Sequence, residues 1–297
     1  MTVRNHSRIC LIISGAIILV AVLLTLFGHG INLGIDFEGG LSMQYDMKTA
    51  VSSGDVSAVL DGMGIKSSTV TVQGRDGNEA NIRIKDVSKD DIQKVQSDFE
   101  TGIREKYPDA VSIGDVNYVG PVAGATLVRN AVISVLLASL LMLIYIAIRF
   151  DLNSGIAAVF GLLHDVLIML SFMVIFRSVI QMNSSFIAAA LTIVGYSINN
   201  TIVIFDRIRE NAKRNPTAAR EDVTNISIRE SLGRTICTTV TTLITIVALC
   251  ILGVASIREF ALPIIVGILS GVYSANMING YVWAFLEEGQ RGRKAKA

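Results

Sequence analysis

Six apolar runs punctuate the chain: Ile9 to Phe27, Val128 to Ile148, Gly155 to Ile175, Ser184 to Phe205, Thr235 to Val254 and Leu262 to Phe285. A helix rises about 1.5 Å per residue, so about 20 apolar residues cross a bilayer core, and each run predicts a transmembrane helix. Pro263 is tolerated near the first turn of the sixth. The first run is longer than the apolar core of a cleaved signal peptide and has no small-residue cleavage site before Gly28, which predicts a retained span.

Between the first two runs the pattern changes. Leu41 to Met47, Ser68 to Gln73, Glu79 to Ile84 and Ser112 to Val119 alternate apolar and polar residues as strands do, and Gly74-Arg75-Asp76-Gly77-Asn78 supplies a turn. Asp55 to Met63 reads as a short helix; Ser88, with Asp90 and Asp91 behind it, is placed to cap a longer helix that runs to Tyr107 before Pro108. The order βαββαβ predicts a ferredoxin-like α+β unit.

The predicted fold is therefore an α-helical polytopic membrane protein with six transmembrane helices and a ferredoxin-like domain between helices 1 and 2. Its expected parts are 1–27, the N-terminus and helix 1; 28–127, the ferredoxin-like domain; 128–285, helices 2–6 with a loop at 206–234; and 286–297, a basic tail.

Charge placement predicts the orientation. Arg4, Arg8, Arg149, the run from Arg207 to Arg234 and the tail with Arg291, Arg293, Lys294 and Lys296 share one side; the other side's short loops hold Arg177 and Arg258. Both termini, the loop 206–234 and the tail are expected in the cytoplasm, and the ferredoxin-like domain outside it. Within Asn215 to Gly233, Val223, Ile226 and Leu232 sit among charges, which fits either an interfacial helix in contact with lipid or a solvated one.

Composition agrees: 51% of 297 residues are apolar, 17% are charged and the mean hydropathy is +0.55. A net charge of +1 points to no nucleic-acid partner. Cys10, Cys237 and Cys250 lie in apolar segments and His6, His29 and His164 are scattered, so neither a disulfide framework nor a metal site is expected. Without a Ser-His pairing, paired aspartates or a His-Glu-x-x-His motif, no enzyme and no cofactor is expected. The run Gly34-Ile35-Asp36-Phe37-Glu38-Gly39-Gly40 predicts a tight turn; no Gly-Lys-Ser/Thr follows, which argues against a phosphate loop.

Candidate chemistry is whatever is polar at membrane depth. The fourth run carries Tyr196, Ser197, Asn199, Asn200 and Thr201, and burying unpaired amides in hydrocarbon costs several kcal/mol, about 2–7 each. Such a cluster is either glue between helices or the lining of a water path. Asp165, beside His164, falls mid-way along the third run, where an acid is a functional candidate. Thr235, Thr238, Thr242 and Thr245 form a hydroxyl stripe below Arg234, although threonine also bonds its own preceding turn. Gly267, Gly271, Ser270 and Ser274 predict close helix packing.

The stretch Gly195-Tyr196-Ser197-x-Asn199-Asn200, continuing through Phe205-Asp206-Arg207-Ile208-Arg209-Glu210-Asn211, resembles the last conserved segment of the SecF subunits of bacterial Sec protein-export machinery. Gly34-x-Asp36-Phe37-x-Gly39-Gly40 resembles the signature that opens the outer domain in SecD and SecF, and Gly120-Pro121-x-x-Gly124 a further segment of that family. The resemblance covers nearly the whole chain. It implies one half of a resistance-nodulation-division transporter in the cytoplasmic membrane of a bacterium, completed by SecD, associated with the SecYEG translocon and acting on exported unfolded polypeptides through an ion gradient. Met1 leading directly into the first span is read as a sign that SecD is a separate chain. A half efflux transporter is the alternative, though about 90 outer residues leave little room for a substrate pocket.

In that family the acid of the Ser-x-Asn-x pattern and the arginine opening the fifth span are implicated in proton-coupled movement. These roles map onto Asn200 and Arg234, with Ser197 and Asn199 beside them. Asn200 is an amide and cannot exchange a proton. The resemblance therefore leaves Asp165, an acid on the partner, or a cation such as sodium held by amide and hydroxyl oxygens.

Overall fold

The computed structural model describes residues 3–294 apart from Arg75, Asp86, Val179 and Val254. Met1 and Thr2 of the N-terminal segment, Arg75 of the predicted turn, Val254 at the predicted end of the fifth span, and Lys296 of the tail lie outside the described residues.

The chain runs α1 (Val3–Leu26), α2 (Ile35–Glu38), β1 (Gly40–Asp46), α3 (Ser53–Gly62), β2 (Ser68–Gln73), β3 (Glu79–Ile84), α4 (Ile92–Lys106), β4 (Val111–Ser112), β5 (Asn117–Val119), α5 (Pro121–Arg149), α6 (Leu152–Ile175), α7 (Ser184–Arg214), α8 (Arg220–Leu252), α9 (Ala255–Ser274) and α10 (Gly280–Lys294). A π-helical turn, Ala275–Asn279, joins the last two into one continuous rod. Among the described residues six helices are long and apolar enough to cross a membrane: α1, α5, α6, α7, α8 and the α9–α10 rod.

Two compact units result. One comprises 32–132 with 178–184; the other comprises 133–177 and 185–297 with the chain up to 31. In the first, the sheet order is β2-β3-β1-β4, antiparallel throughout, with β5 also on β1. Alternate β1 residues Leu41, Met43 and Tyr45 are buried against Val56 and Leu60 of α3 and Phe99 and Ile103 of α4, so both helices cover one face. The last strand comes in two pieces because Gly114 sits at φ 98°, outside strand geometry.

The glycine signature is structural in this unit. Gly40 has φ 123°, and a Cβ there would lie 2.4 Å from the Ile84 carbonyl oxygen. Asp36 accepts from the Ser184 backbone N–H at 2.8 Å and from the Ser184 hydroxyl, so the short helix α2 caps the start of α7. Ser88 behaves differently from expectation. Its hydroxyl donates to the Asp91 carboxylate at 2.7 Å rather than accepting from backbone, and a 3₁₀ turn, Lys89–Asp91, leads into α4.

In the helical unit the connection expected at 206–234 is largely helical. Both flanking helices run on through it, leaving only residues 215–219 as the connection. Arg, Glu and Lys are good helix formers, and Arg207–Glu210 and Arg214–Glu210, each at 2.6 Å, bridge successive turns. Within that extension Val223 is buried while Ile226 and Leu232 are exposed. The core joins Ala158 and Leu162 of α6, Ile198 and Phe205 of α7, Val223 and Ile228 of α8, and Trp283 of α10.

Candidate functional site

Asp165 on α6 is 1% exposed and is the centre of a polar cluster linking four helices. Its Oδ2 accepts from the Ser197 hydroxyl on α7 at 2.5 Å and from Ser274 on α9 at 2.9 Å. Its Oδ1 accepts from Ser270 on α9 at 2.7 Å and lies 3.0 Å from His164 Nδ1. Ser270 and Ser274 are four residues apart and so share one face of α9. Gly271 lets that face reach α7, since a Cβ there would lie 3.2 Å from the Ser197 Cβ.

The cluster continues on the far side of the histidine. His164 Nε2 is 2.7 Å from the Ser14 hydroxyl on α1, Ser14 is 3.2 Å from the Tyr273 hydroxyl, and Tyr273 donates to the Cys10 backbone carbonyl. A carbonyl only accepts, so the Tyr273 hydroxyl is the donor in that last bond. The row therefore joins a carboxyl group, an imidazole and two hydroxyls, each of the hydroxyls and the imidazole able both to donate and to accept.

Three serine hydroxyls, those of Ser197, Ser270 and Ser274, donate to the Asp165 carboxyl group besides.

The other sequence candidates divide. Asn200 is buried at 3% exposure, with Nδ2 lacking a hydrogen-bond partner among the described residues, whereas its neighbour Asn199 is exposed. Arg234 is exposed on α8, and no hydrogen bond joins it or Asn200 to the Asp165 cluster among the described residues. Thr235, Thr238, Thr242 and Thr245 return their hydroxyls to carbonyls of their own helix. Tyr196, one residue after Gly195 on α7, donates to Thr239 at 3.3 Å. Asp206 pairs with Arg149 at 3.5 Å, and Arg207 with Glu230 at 2.6 Å, so this part of the signature ties α7 to the end of α5 and to α8. In the π turn, Asn279 donates to the Thr201 hydroxyl at 2.8 Å. Such turns recur at functional sites.

Ser14 and Tyr273 were not among the sequence candidates, and Ser270 and Ser274 were read only as packing residues. A serine four residues from another, facing an acid on a neighbouring span, was the available signal.

Residues 99–289 match the family described as protein export membrane protein SecD/SecF, C-terminal, and residues 25–51 match the SecD/SecF GG motif. The chain belongs to the SecD/SecF family. It is 39% identical over 271 residues to protein translocase subunit SecF of Endomicrobium trichonymphae, covering 88% of this chain and 83% of that protein. It is 36% identical over 268 residues to protein translocase subunit SecDF of Bacillus subtilis, covering 89% of this chain and 35% of the longer protein. A crystal structure of SecDF from Thermus thermophilus, described as a translocon-associated membrane protein, superposes with a TM-score of 0.80 at 32% identity, over 96% of this chain and 38% of that one. This SecD/SecF chain thus spans most of the SecF relative and little more than a third of the SecDF proteins. With its six apolar helices it is a multi-pass membrane protein.

Proposed function

We propose that this chain is the SecF-type half of an accessory complex of the bacterial Sec translocase, and that the ion it couples to export is the proton, carried on the Asp165–His164 pair. The observation that carries the reading is the hydrogen-bond row from Asp165 through His164, Ser14 and Tyr273 to Cys10, which joins an acid to an imidazole between α1, α6 and α9.

The SecDF relatives, in which a chain like this one is a little over a third of a longer protein, support pairing with a SecD-type half. So does the outer surface of the helical unit. Asn199, Arg234, Thr238 and Thr245 are exposed at or near membrane depth, where lipid is a poor neighbour for them and a partner helix a good one. The complex sits in the bacterial inner membrane with both termini of this chain cytoplasmic, the ferredoxin-like unit outside, and SecYEG beside it.

In this reading a proton entering from outside loads the Asp165–His164 pair and its departure to the cytoplasm reverses the Ser14 and Tyr273 hydroxyls. The two hydrogen-bond patterns hold α1, α6 and α9 differently, and the difference is transmitted to the outer unit, which draws an emerging unfolded polypeptide outward. One charge crossing 100 mV releases about 2.3 kcal/mol, enough to bias such a motion.

The test is export of a slow-folding secreted protein in cells depleted of this chain and rescued with the native form, Asp165→Asn or His164→Gln. The native chain is expected to restore export only while the proton gradient stands, and both variants to leave export at the depleted level while reaching the membrane in normal amount. Full rescue by Asp165→Asn would end the proposal.

A further inference from the structure

Arg220 opens α8 and is only 7% exposed, yet its Nε and Nη1 have no hydrogen-bond partner among the described residues. Trp283 on α10, 5% exposed, leaves its Nε1 equally unpartnered. Both line a cavity of about 350 Å³ to which α7 contributes Arg209 and Lys213, both exposed.

The chemistry of what is missing follows from the atoms left over. Guanidinium and indole nitrogens donate and cannot accept, so the absent partner is an acceptor. A guanidinium buried without a countercharge is costly, so that acceptor is an anion. Two carboxylates line the same cavity, and both already accept hydrogen bonds from residues of α6. Asp151 caps α6, accepting from the Ser154 N–H at 3.1 Å and its hydroxyl at 2.6 Å, and Glu287 accepts from Asn153 at 2.7 Å. Against them stand Arg209, Lys213 and Arg220, leaving a positive excess. The uncapped first turn of α8 adds backbone N–H groups and the positive end of a helix dipole at the same place.

We propose that this cavity binds a phosphate group, held by Arg220 and Trp283 within and by Arg209 and Lys213 at the rim. A planar guanidinium matches phosphate oxygens, and the volume accommodates a phosphate with part of a headgroup rather than a lone halide. The phosphate belongs either to an anionic lipid, for which a basic pocket between membrane helices is a known form of site, or to free inorganic phosphate.

The test uses the full chain purified in mild detergent. Native mass spectrometry reads retained phosphatidylglycerol, and thermal unfolding in discs of zwitterionic lipid reads stabilisation by inorganic phosphate. Lipid retention by the native chain that falls at least fivefold in Arg220→Gln assigns the lipid source. A midpoint that rises with added phosphate for the native chain and not for Arg220→Gln assigns the free ion. Arg209→Gln with Lys213→Gln, both at exposed positions, is expected to weaken either signal and its salt dependence, and gives a reading even if Arg220→Gln does not fold. Neither signal in the native chain, or signals equal in native and variant chains, overturns the proposal.

Discussion

The Ser197 hydroxyl on α7 donates to the Asp165 carboxylate on α6 at 2.5 Å, in a position where neither group meets solvent. Removing the serine leaves a buried acceptor short of a partner, which costs about 1–3 kcal/mol. Ser197→Ala, Ser270→Ala and Ser274→Ala are each expected to lower the thermal midpoint in detergent. In a double-mutant cycle with Asp165→Asn the effects should be non-additive, with a coupling of about 0.5–3 kcal/mol. Additive losses would mean that the hydroxyls act on something other than Asp165.

Gly40 offers a separate test in the α/β unit. A methyl group there meets the Ile84 carbonyl at 2.4 Å, and φ 123° is itself unfavourable for any other residue. Gly40→Ala is expected to destabilise by at least about 2 kcal/mol, read as faster hydrogen exchange across β1 and β3 in the full chain. Unchanged exchange would contradict the geometry.

Tyr45 predicts an alkaline limit for the same unit. Burial, and then the Glu100 carboxylate that accepts from its hydroxyl at 3.1 Å, push the phenol well above its ordinary value. A folded pKa raised above the unfolded one gives stability that is complete below about pH 10 and is lost as pH rises towards the folded value. Tyr45→Phe should cost about 1 kcal/mol at neutral pH through the lost hydrogen bond, while moving alkaline unfolding to higher pH. Hydrogen exchange of the β1 amides across an alkaline series checks both.

Much of this organisation was legible in the sequence, for identifiable reasons. Spans showed because apolar runs of membrane length have few other uses, and β1 showed because Leu41, Met43 and Tyr45 alternate with polar residues. Asp165 stood out as an acid in an apolar run. Its partners did not, because which face of α9 meets α6 depends on packing that no single helix encodes. Asn199 and Asn200 illustrate the limit: adjacent residues point about 100° apart, so one is buried and the other exposed, while the local pattern marks both as polar. The charges after Asp206 left open whether the segment lies against lipid or in solvent, and did not mark Arg220 as buried.

Asn200→Asp follows from that burial. Its Nδ2 has no partner among the described residues, so replacing the amide with a protonated acid of the same shape loses no hydrogen bond to this chain. The variant is expected to fold normally, and Asn200→Asp added to Asp165→Asn should recover part of the lost export by supplying a second titrating group in the bundle. Export no better than with Asp165→Asn alone would place Asn200 off the proton path.

The most direct measurement is infrared difference spectroscopy of the full chain in lipid, stepped between acidic and alkaline pH, for the native form, Asp165→Asn and His164→Gln. A shared proton predicts a carboxyl or imidazolium signal that titrates in the native chain, disappears in Asp165→Asn and shifts in His164→Gln. A native spectrum indistinguishable from that of Asp165→Asn across the range would contradict it, and with it the reading of Asp165 and His164 as the carriers of the coupled ion.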